Sequence, residues 1–144
     1  MKNEPSDNIT DAWINLLHAQ QSCLETVEQA FKNNGFPPLS WYDVLWELER
    51  GEADGMRPYE LGERILMPQY GLSRLLTRLE KAGYLKRRRS EEDGRGQVMV
   101  ITRQGLALRK SMWSVYADAL NRALTERISE TEAKRLSNLL GKLV

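Results

Sequence analysis

The stretch from Leu72 to Gly105 reads LSRLLTRLEKAGYLKRRRSEEDGRGQVMVITRQG, and it decides the fold. Its first part repeats leucine at three- and four-residue spacing and ends at Gly83, which predicts a helix from about Pro68 to Ala82. Its second part places strand-like segments, 84–89 and 97–102, on either side of a turn with two glycines. This pattern predicts a two-stranded ribbon directly after the helix.

Helical periodicity extends on both sides of this stretch. Before it, the apolar spacing predicts helices over about 9–31, from Ser40 to Gly51 with Ser40 as its cap, and from Pro58 to Leu66. After it, Thr102 is a predicted N-cap for a helix of about 25 residues. The segment Ser129–Glu132 then forms a capping box for a last helix. The predicted order is four helices, a β-ribbon and two helices.

The composition is that of an ordinary globular protein, with 144 residues of which 28% are charged and 41% hydrophobic, and it predicts one domain. No apolar run approaches the ~18 residues that a membrane span requires, and MKNEPSDNIT at the start lacks the apolar segment of a secretory signal. We therefore predict a cytoplasmic protein with no membrane partner. Because Cys23 is the only cysteine, an intramolecular disulfide and a cysteine-rich metal site are excluded.

Charge is divided unevenly along the chain, although the net charge is only +1. Residues 57–105 contain 11 Lys and Arg against 6 Asp and Glu, a net of +5, and the remaining residues contain 10 against 14, a net of −4. Such asymmetry favours a polyanion as the partner of the basic part, although a charged run can also be a solvated face.

The helix predicted from Pro68 carries a polar face, on which residues recur at three-, four- and seven-residue spacing. Glu80 is the only acid in this helix. Arg, Gln and Ser can pair with base edges in a major groove, and Thr and Lys readily contact phosphate. A plain amphipathic helix with a solvated basic face is the alternative. The face comprises Gln69, Tyr70, Ser73, Arg74, Thr77, Arg78 and Lys81.

A short helix, a tight connection and this second helix form a helix-turn-helix pattern. The ribbon that follows has cations on its first strand. It can therefore lie along phosphates or place its tip in an adjacent minor groove, where inserted arginine is favoured. Together the two features favour double-stranded DNA as the partner.

At these spacings the stretch resembles the core of the multiple-antibiotic-resistance regulator (MarR) family of winged helix-turn-helix repressors. The family pattern is S-R followed by L-E-x-x-G-[YL]-[LV]-x-R, then D-x-R, and T-x-x-G after an apolar strand. The flanking helices also fit the family's layout, so the resemblance covers essentially the whole chain. The matching residues are Ser73, Arg74, Leu79, Glu80, Gly83, Tyr84, Leu85, Arg87, Asp93, Arg95, Thr102 and Gly105.

The resemblance implies a mainly α fold with a small β-ribbon, in which a winged helix-turn-helix domain is flanked by N- and C-terminal dimerisation helices. Residues 1–144 would form a single MarR-like domain, with 40–102 as the DNA-binding lobe and 9–34 and 103–144 as the dimerisation helices. The implied function is that of a homodimeric, sequence-specific regulator that binds double-stranded DNA at a pseudo-palindromic operator. It would repress transcription and be released by a small ligand.

The resemblance also implies roles for individual residues. Arg95 would enter the minor groove at the wing tip, and Asp93 would orient the wing through an internal ion pair. Gln69, Tyr70, Ser73, Arg74, Thr77 and Arg78 would face the major groove or its phosphates, and Arg87, Arg88 and Arg89 would contact phosphates. A small aromatic or anionic effector could bind a pocket lined by Trp13, His18, Trp41, Tyr42 and Trp46. Aromatic residues at helical spacing fit a core equally well.

Other interpretations are weaker. No glycine-rich phosphate loop, metal-ligand spacing or nucleophile motif accompanies His18, so we predict neither an enzyme nor a bound metal or cofactor. A winged helix used for protein contacts would more often show apolar anchors than a basic polar face. One branch of the family senses peroxide through a cysteine of the first helix. We do not expect this of Cys23, because an active thiol needs an electropositive setting and Glu25 and Glu28 lie near it.

Overall fold

A computed structural model describes residues 3–51, 54–65, 69–90 and 96–144, with the backbone alone at Gln69 and Tyr70. The fold is mainly α-helical with one small antiparallel sheet, which confirms the predicted fold class. The elements in chain order are α1 (Asp7–Asn33), α2 (Leu39–Gly51), α3 (Pro58–Ile65), α4 (Gln69–Lys81), β1 (Leu85–Arg89), β2 (Gln97–Ile101), α5 (Arg103–Leu120), a π-helical turn (Asn121–Thr125) and α6 (Glu130–Gly141).

The chain divides into two compact units. The terminal unit comprises Met1–Asn34 with Val115–Val144, and the central unit comprises Gly35–Ser114. The central unit contains α2, α3, α4 and the β-ribbon. The predicted assignment of 40–102 to DNA binding and of 9–34 and 103–144 to dimerisation concerns function, and it stays a prediction.

The core of the central unit is made by one apolar stripe from each of its three short helices and by the inner face of the ribbon. Leucines at three- and four-residue spacing on α4 all point into this core, as the periodicity predicted. Buried side chains of α2, α3 and both strands complete it. The core residues are Val44, Leu45, Leu48, Met56, Leu61, Leu72, Leu75, Leu76, Leu79, Leu85 and Met99.

The ribbon pairs β1 with β2 in antiparallel register from Leu85 opposite Ile101 to Arg89 opposite Gln97. A single bridge adds Met56 to the other edge of β2, through hydrogen bonds of 2.9 Å and 2.7 Å with the backbone of Met99. Gly55 permits this approach. Its φ is +73°, and a Cβ there would lie 2.7 Å from the Met99 carbonyl oxygen.

Several predicted helix ends are confirmed and one is wrong. Thr102 caps α5, because its Oγ1 accepts a hydrogen bond of 3.1 Å from the amide of Gly105. The capping box at Ser129–Glu132 is present at the start of α6. Ser40, however, does not cap α2: that helix already includes Leu39, since the Trp41 amide donates to the Pro38 carbonyl at 3.0 Å and begins the turn earlier.

The helix of about 25 residues predicted after Thr102 is not one continuous α-helix. α5 ends at Leu120 and the chain continues as the π-helical turn, in which the amide of Glu126 donates to the carbonyl of Asn121 at 3.0 Å. That hydrogen bond spans five residues instead of four. The periodic apolar pattern did not reveal this change of pitch.

The terminal unit has a small core and long exposed apolar faces. Val27, Ala30, Phe31, Ala119 and Ala123 are buried, and the Phe31 ring meets the Tyr116 ring edge-on with centroids 5.7 Å apart. The apolar side chains nearer the start of α1 and along α6 are exposed instead, in most cases by more than two-fifths of their surface. They include Ile9, Trp13, Leu17 and Leu24 of α1 and Leu136, Leu139, Leu140 and Leu143 of α6 and the residues after it.

Candidate nucleic-acid interface

The outer face of α4 is polar and basic. Ser73, Arg74, Thr77, Arg78 and Lys81 are exposed on the side opposite the buried leucines. The Thr77 hydroxyl donates a hydrogen bond of 3.1 Å to the Ser73 carbonyl, so its proton is engaged by the helix and its oxygen remains an acceptor. Gln69 and Tyr70 form the first turn, and the position of their side chains lies outside the described residues.

The only acid of α4 is engaged by the ribbon. Arg87 Nε donates to Glu80 Oε1 at 3.1 Å, and both side chains are partly exposed. The pair links β1 to α4 and offsets the one negative charge of the helix. Arg87, which the resemblance assigned to phosphate, is therefore committed at least in part to Glu80. The outer face of α4 is left with a net positive charge beside the ribbon.

The first strand of the ribbon presents cations of different exposure. Lys86 and Arg89 are exposed, whereas Arg87 and Arg88 are half-buried. Directly after β1, the amide of Ser90 donates to the carbonyl of Gly96 at 3.3 Å. This hydrogen bond joins the end of β1 to the start of β2. Asp93 and Arg95, predicted for the wing tip, lie outside the described residues. Their roles stay predictions.

Hydrogen bonds of Thr102 connect the end of α4, the end of the ribbon and the start of α5. Thr102 Oγ1 donates to the Gly83 carbonyl at 2.6 Å while it accepts from the amide of Gly105. Gly83 has a φ of +87°, and a Cβ on Gly105 would collide with the carbonyl oxygen of Tyr84. The threonine and the glycine of T-x-x-G therefore fix the ribbon relative to α4. This geometry gives a physical reason for both residue types.

The aromatic residues predicted for an effector pocket are divided between the two units. Trp13 and His18 are exposed on α1 in the terminal unit, and Trp41, Tyr42 and Trp46 lie on α2 in the central unit. Trp41 packs on the core and meets the Tyr84 ring edge-on at 6.1 Å. Tyr42 is buried and stacks on Trp113 with centroids 6.3 Å apart. The prediction that these five residues share one pocket remains a prediction.

Sequence reasoning missed a largely buried ion pair beside these rings. Arg109 Nη2 donates to Glu49 Oε1 at 2.8 Å, and its Nε lies 2.8 Å from Glu49 Oε2 without a hydrogen bond between those two atoms. The guanidinium carbon also lies 5.2 Å from the centroid of the Trp46 ring. No local signal could have paired positions 49 and 109, because the contact spans 60 residues.

The ionisation of this cluster follows from its contacts. Burial lowers the pKa of Arg109, but hydrogen bonds and charge from Glu49 and Tyr42 outweigh it, so the pKa is raised above its ordinary value. Burial raises the pKa of the Tyr42 phenol, although Arg109 opposes that change by donating a hydrogen bond to the hydroxyl oxygen. The guanidinium is thus charged and the phenol neutral at physiological pH.

The described residues also bear on metal binding and on membrane insertion. Over residues 3–51, 54–65, 69–90 and 96–144, no group of three or more His, Cys, Asp or Glu side chains is arranged to hold a metal ion. No helix in those same ranges is both long enough and apolar enough to cross a bilayer.

Comparison with known sequences gives a consistent result. The model of the MarR family matches residues 34–96. The HTH-type transcriptional regulator SarZ of Staphylococcus aureus is 33% identical over 103 residues, an alignment that spans 72% of this chain and 66% of SarZ. The aligned part thus covers slightly less than two thirds of that relative.

Comparison with solved structures identifies the same fold. Sco3205, a MarR family transcriptional regulator from Streptomyces coelicolor solved in complex with DNA, superposes with a TM-score of 0.88 at 20% identity, over 98% of this chain and 89% of that one. CouR from Rhodococcus jostii RHA1, solved bound to p-coumaroyl-CoA, has a TM-score of 0.79 at 22% identity, over 92% of this chain and 91% of that one. At these identities the likeness concerns the fold.

Proposed function

Because this chain belongs to the MarR family of winged-helix regulators, we propose that it is a sequence-specific regulator of transcription that binds double-stranded DNA. The observation that carries the proposal is the outer face of α4. Arg74, Arg78 and Lys81 are exposed there, and the one acid of the helix is paired with Arg87. The solved complex of Sco3205 with DNA, which has the same fold, supports this use of the winged helix.

In this proposal α4 is the recognition helix. Ser73, Arg74 and the first turn with Gln69 and Tyr70 read base edges in the major groove, while Thr77 and Arg78 meet base edges or phosphate. Lys86, Arg88 and Arg89 follow the backbone along β1, and Arg87 shares its charge between Glu80 and phosphate. Arg95 enters the minor groove, with Asp93 orienting the wing. A regulator of this kind acts in the cytoplasm.

We further propose a homodimer, on the evidence of the terminal unit. Trp13 on α1 and Leu139 on α6 are more than half exposed, and Ile9 and Leu143 are more exposed still. Apolar faces on two helices of a small unit are costly in water and are typical of an interface. Two winged helices related by a two-fold axis would bind a pseudo-palindromic site with half-sites about one helical turn apart.

The regulatory outcome we propose is repression that is relieved by a small effector. A dimer bound across a promoter blocks polymerase, and a ligand releases it when the ligand binds the unbound conformation more tightly. CouR, a protein of the same fold, was solved with p-coumaroyl-CoA, an aromatic and anionic molecule. We propose that this chain takes an aromatic or anionic effector, with Trp13, His18, Trp41, Tyr42 and Trp46 as the candidate lining.

The proposal is tested by selecting bound sequences from a random pool of duplex DNA and then sizing the complex formed with the enriched sequence. We expect a pseudo-palindrome bound by two copies of the chain. Affinity should fall steeply with salt, because each phosphate contact releases a counterion. Failure to enrich any sequence, together with salt-insensitive binding, would favour a winged helix used for protein contacts.

The role of α4 is tested by Arg74→Ala. Loss of a base or phosphate contact in each half-site should weaken operator binding by about tenfold or more. Arg50→Ala is the matched control, since Arg50 is an exposed arginine at the end of another helix of the same unit and pairs only with Glu47 of its own helix in the described residues. Equal effects of the two substitutions would contradict the assignment of α4 as the recognition helix.

A further inference from the structure

We propose that Arg57, which precedes α3 and lies outside both the recognition helix and the hairpin, positions the wing for DNA. The inference rests on the proposed function, because the orientation of the wing matters only if the wing meets DNA. Arg57 is a positioning residue in this proposal: it acts on DNA affinity through the ribbon and makes no contact with DNA itself.

The side chain of Arg57 reaches the end of the ribbon where both strands stop. Its Nη2 donates a hydrogen bond of 3.2 Å to the hydroxyl oxygen of Ser90, the residue directly after β1. Ser90 is only 7% exposed. A buried hydroxyl that loses its partner is unfavourable, so this contact is one that the fold retains.

The same guanidinium lies against the other strand's end. A Cβ placed on Gly96, the residue directly before β2, would be 2.9 Å from Arg57 Nη1, and Gly96 has a φ of +67°. The positive φ favours glycine at this position, and the short distance shows how closely the guanidinium approaches the Gly96 backbone. Ser90 and Gly96 are also joined by one backbone hydrogen bond of 3.3 Å. Arg57 therefore lies where the end of β1 meets the start of β2.

The backbone of Arg57 is held independently of the hairpin tip. Its neighbour Met56 exchanges two backbone hydrogen bonds with Met99 in β2. The amide of Arg57 donates to Glu60 Oε1 at 3.2 Å within the first turn of α3, and the carbonyl of Arg57 accepts from the amides of Glu60 and Leu61. With its main chain fixed to β2 and α3, the side chain of Arg57 connects the core to the end of the ribbon where β1 stops and β2 begins. We call this contact between Arg57 and Ser90 the brace.

Arg57 affects DNA binding through the segment that joins β1 to β2. Residues 91–95 connect Ser90 to Gly96, and they include Arg95, the residue proposed for the minor groove. A minor-groove arginine contributes only when it is held in register with the recognition helix. Arg57 contacts both described neighbours of this segment, Ser90 and Gly96. Loss of the brace should therefore reduce the contribution of Arg95.

The first test is a double-mutant cycle on operator affinity with Arg57→Met and Arg95→Ala. Methionine retains an apolar stem at position 57 but removes the guanidinium and with it the hydrogen bond to Ser90. We expect Arg57→Met alone to weaken binding by about five- to tenfold, and to change it by less than about twofold when Arg95 is already alanine. Independent losses that multiply in the double variant would overturn the proposal, because they would indicate that Arg57 contacts DNA directly.

The second test needs no DNA. Amide hydrogen exchange at Ser90 and Val98, whose amides face the partner strand, should be at least about tenfold faster in the free Arg57→Met protein. Exchange at Leu76 and Leu79 in the core of α4 should stay unchanged. Ser90→Ala should reproduce the loss of affinity, and Arg50→Met is the control for removing an exposed arginine. Unchanged exchange at the ribbon end would overturn the proposal that Arg57 holds it. If the wild-type chain enriches no DNA sequence, the proposed function fails by itself, and exchange still decides whether Arg57 holds the ribbon.

Discussion

Replacing Arg109 by methionine should destabilise the protein strongly, because it leaves the Glu49 carboxylate without its partner. The side chains of Arg109 and Glu49 are only 11% and 25% exposed. Methionine preserves much of the volume and can still pack on Trp46. The change therefore isolates the loss of the charge from the loss of packing.

The size of this destabilisation follows from the distance between the two charges and from the burial of both side chains. Two unit charges 2.8 Å apart attract by about 6 kcal/mol at an effective dielectric constant of 20, and several kcal/mol per ion are offset by desolvation. Breaking a buried pair on one side costs about 3–5 kcal/mol. Because Glu49 retains a quarter of its exposure and can turn towards water, we expect about 3 kcal/mol. For a chain of this length that is a decrease of about 10 °C in Tm.

The assay is urea unfolding followed by circular dichroism and tryptophan fluorescence at one fixed protein concentration, since association shifts apparent stability. The double variant Glu49→Leu with Arg109→Met should recover to within about 1 kcal/mol of the wild type, because it removes both charges. Arg122→Met is the matched control. Arg122 also pairs with an acid, Asp118 at 2.6 Å, but the two side chains are 47% and 72% exposed, and such pairs contribute about 0–1 kcal/mol.

Two results would refute the reasoning. One is a loss for Arg109→Met no larger than that of Arg122→Met, which would mean that burial does not strengthen the pair. The other is additivity, in which the double variant loses as much as the sum of the single variants. In that case the destabilisation would come from packing around Trp46 and Tyr42 and not from an orphaned carboxylate.

Three further predictions follow from features of the two units. Gly105→Ala should lower stability by about 2–3 kcal/mol because its Cβ would collide with the Tyr84 carbonyl. The control is Gly141→Ala, because a Cβ there meets nothing within 4 Å. It should change the free energy of unfolding in urea by less than about 1 kcal/mol. Hydrogen bonds from the backbone and side chain of Ser129 lower the pKa of Glu132 from its ordinary value of 4.5, so its stabilisation of α6 is present above that value and lost as pH falls through the lowered pKa. The difference in unfolding stability between the wild type and Glu132→Gln, followed by circular dichroism, should therefore shrink as pH falls, and a difference that is independent of pH would contradict this prediction. Cys23→Ser should leave operator binding unchanged with and without oxidant, and loss of an oxidant response in a gel-shift assay would show that the thiol is a sensor.

Features set by local chemistry were predictable from the sequence. The leucine spacing of α4, the cap at Thr102 and the capping box at Ser129 each depend on residues within four positions of one another. The motif T-x-x-G identified both residues that fix the ribbon. Local patterns also determined the order of the elements and hence the fold class.

Features set by distant contacts were not predictable. Arg57 and Ser90 are 33 positions apart, and Glu49 and Arg109 are 60 apart. Nothing near either residue in the chain specifies such a partner, because packing of the central unit brings them together. The displaced start of α2 has a different cause: the Pro38 carbonyl begins the helical turn before the residue with the best capping side chain.

The π-helical turn at Asn121–Thr125 has a consequence for the alignment of relatives. A hydrogen bond that closes over five residues contains one residue more than an α-helical turn. Each residue of an α-helix advances the side-chain direction by about 100°. A relative that lacks the extra residue would continue α5 without interruption and present a different face from that point onward. An ungapped alignment through this turn would then pair buried positions of one protein with exposed positions of the other.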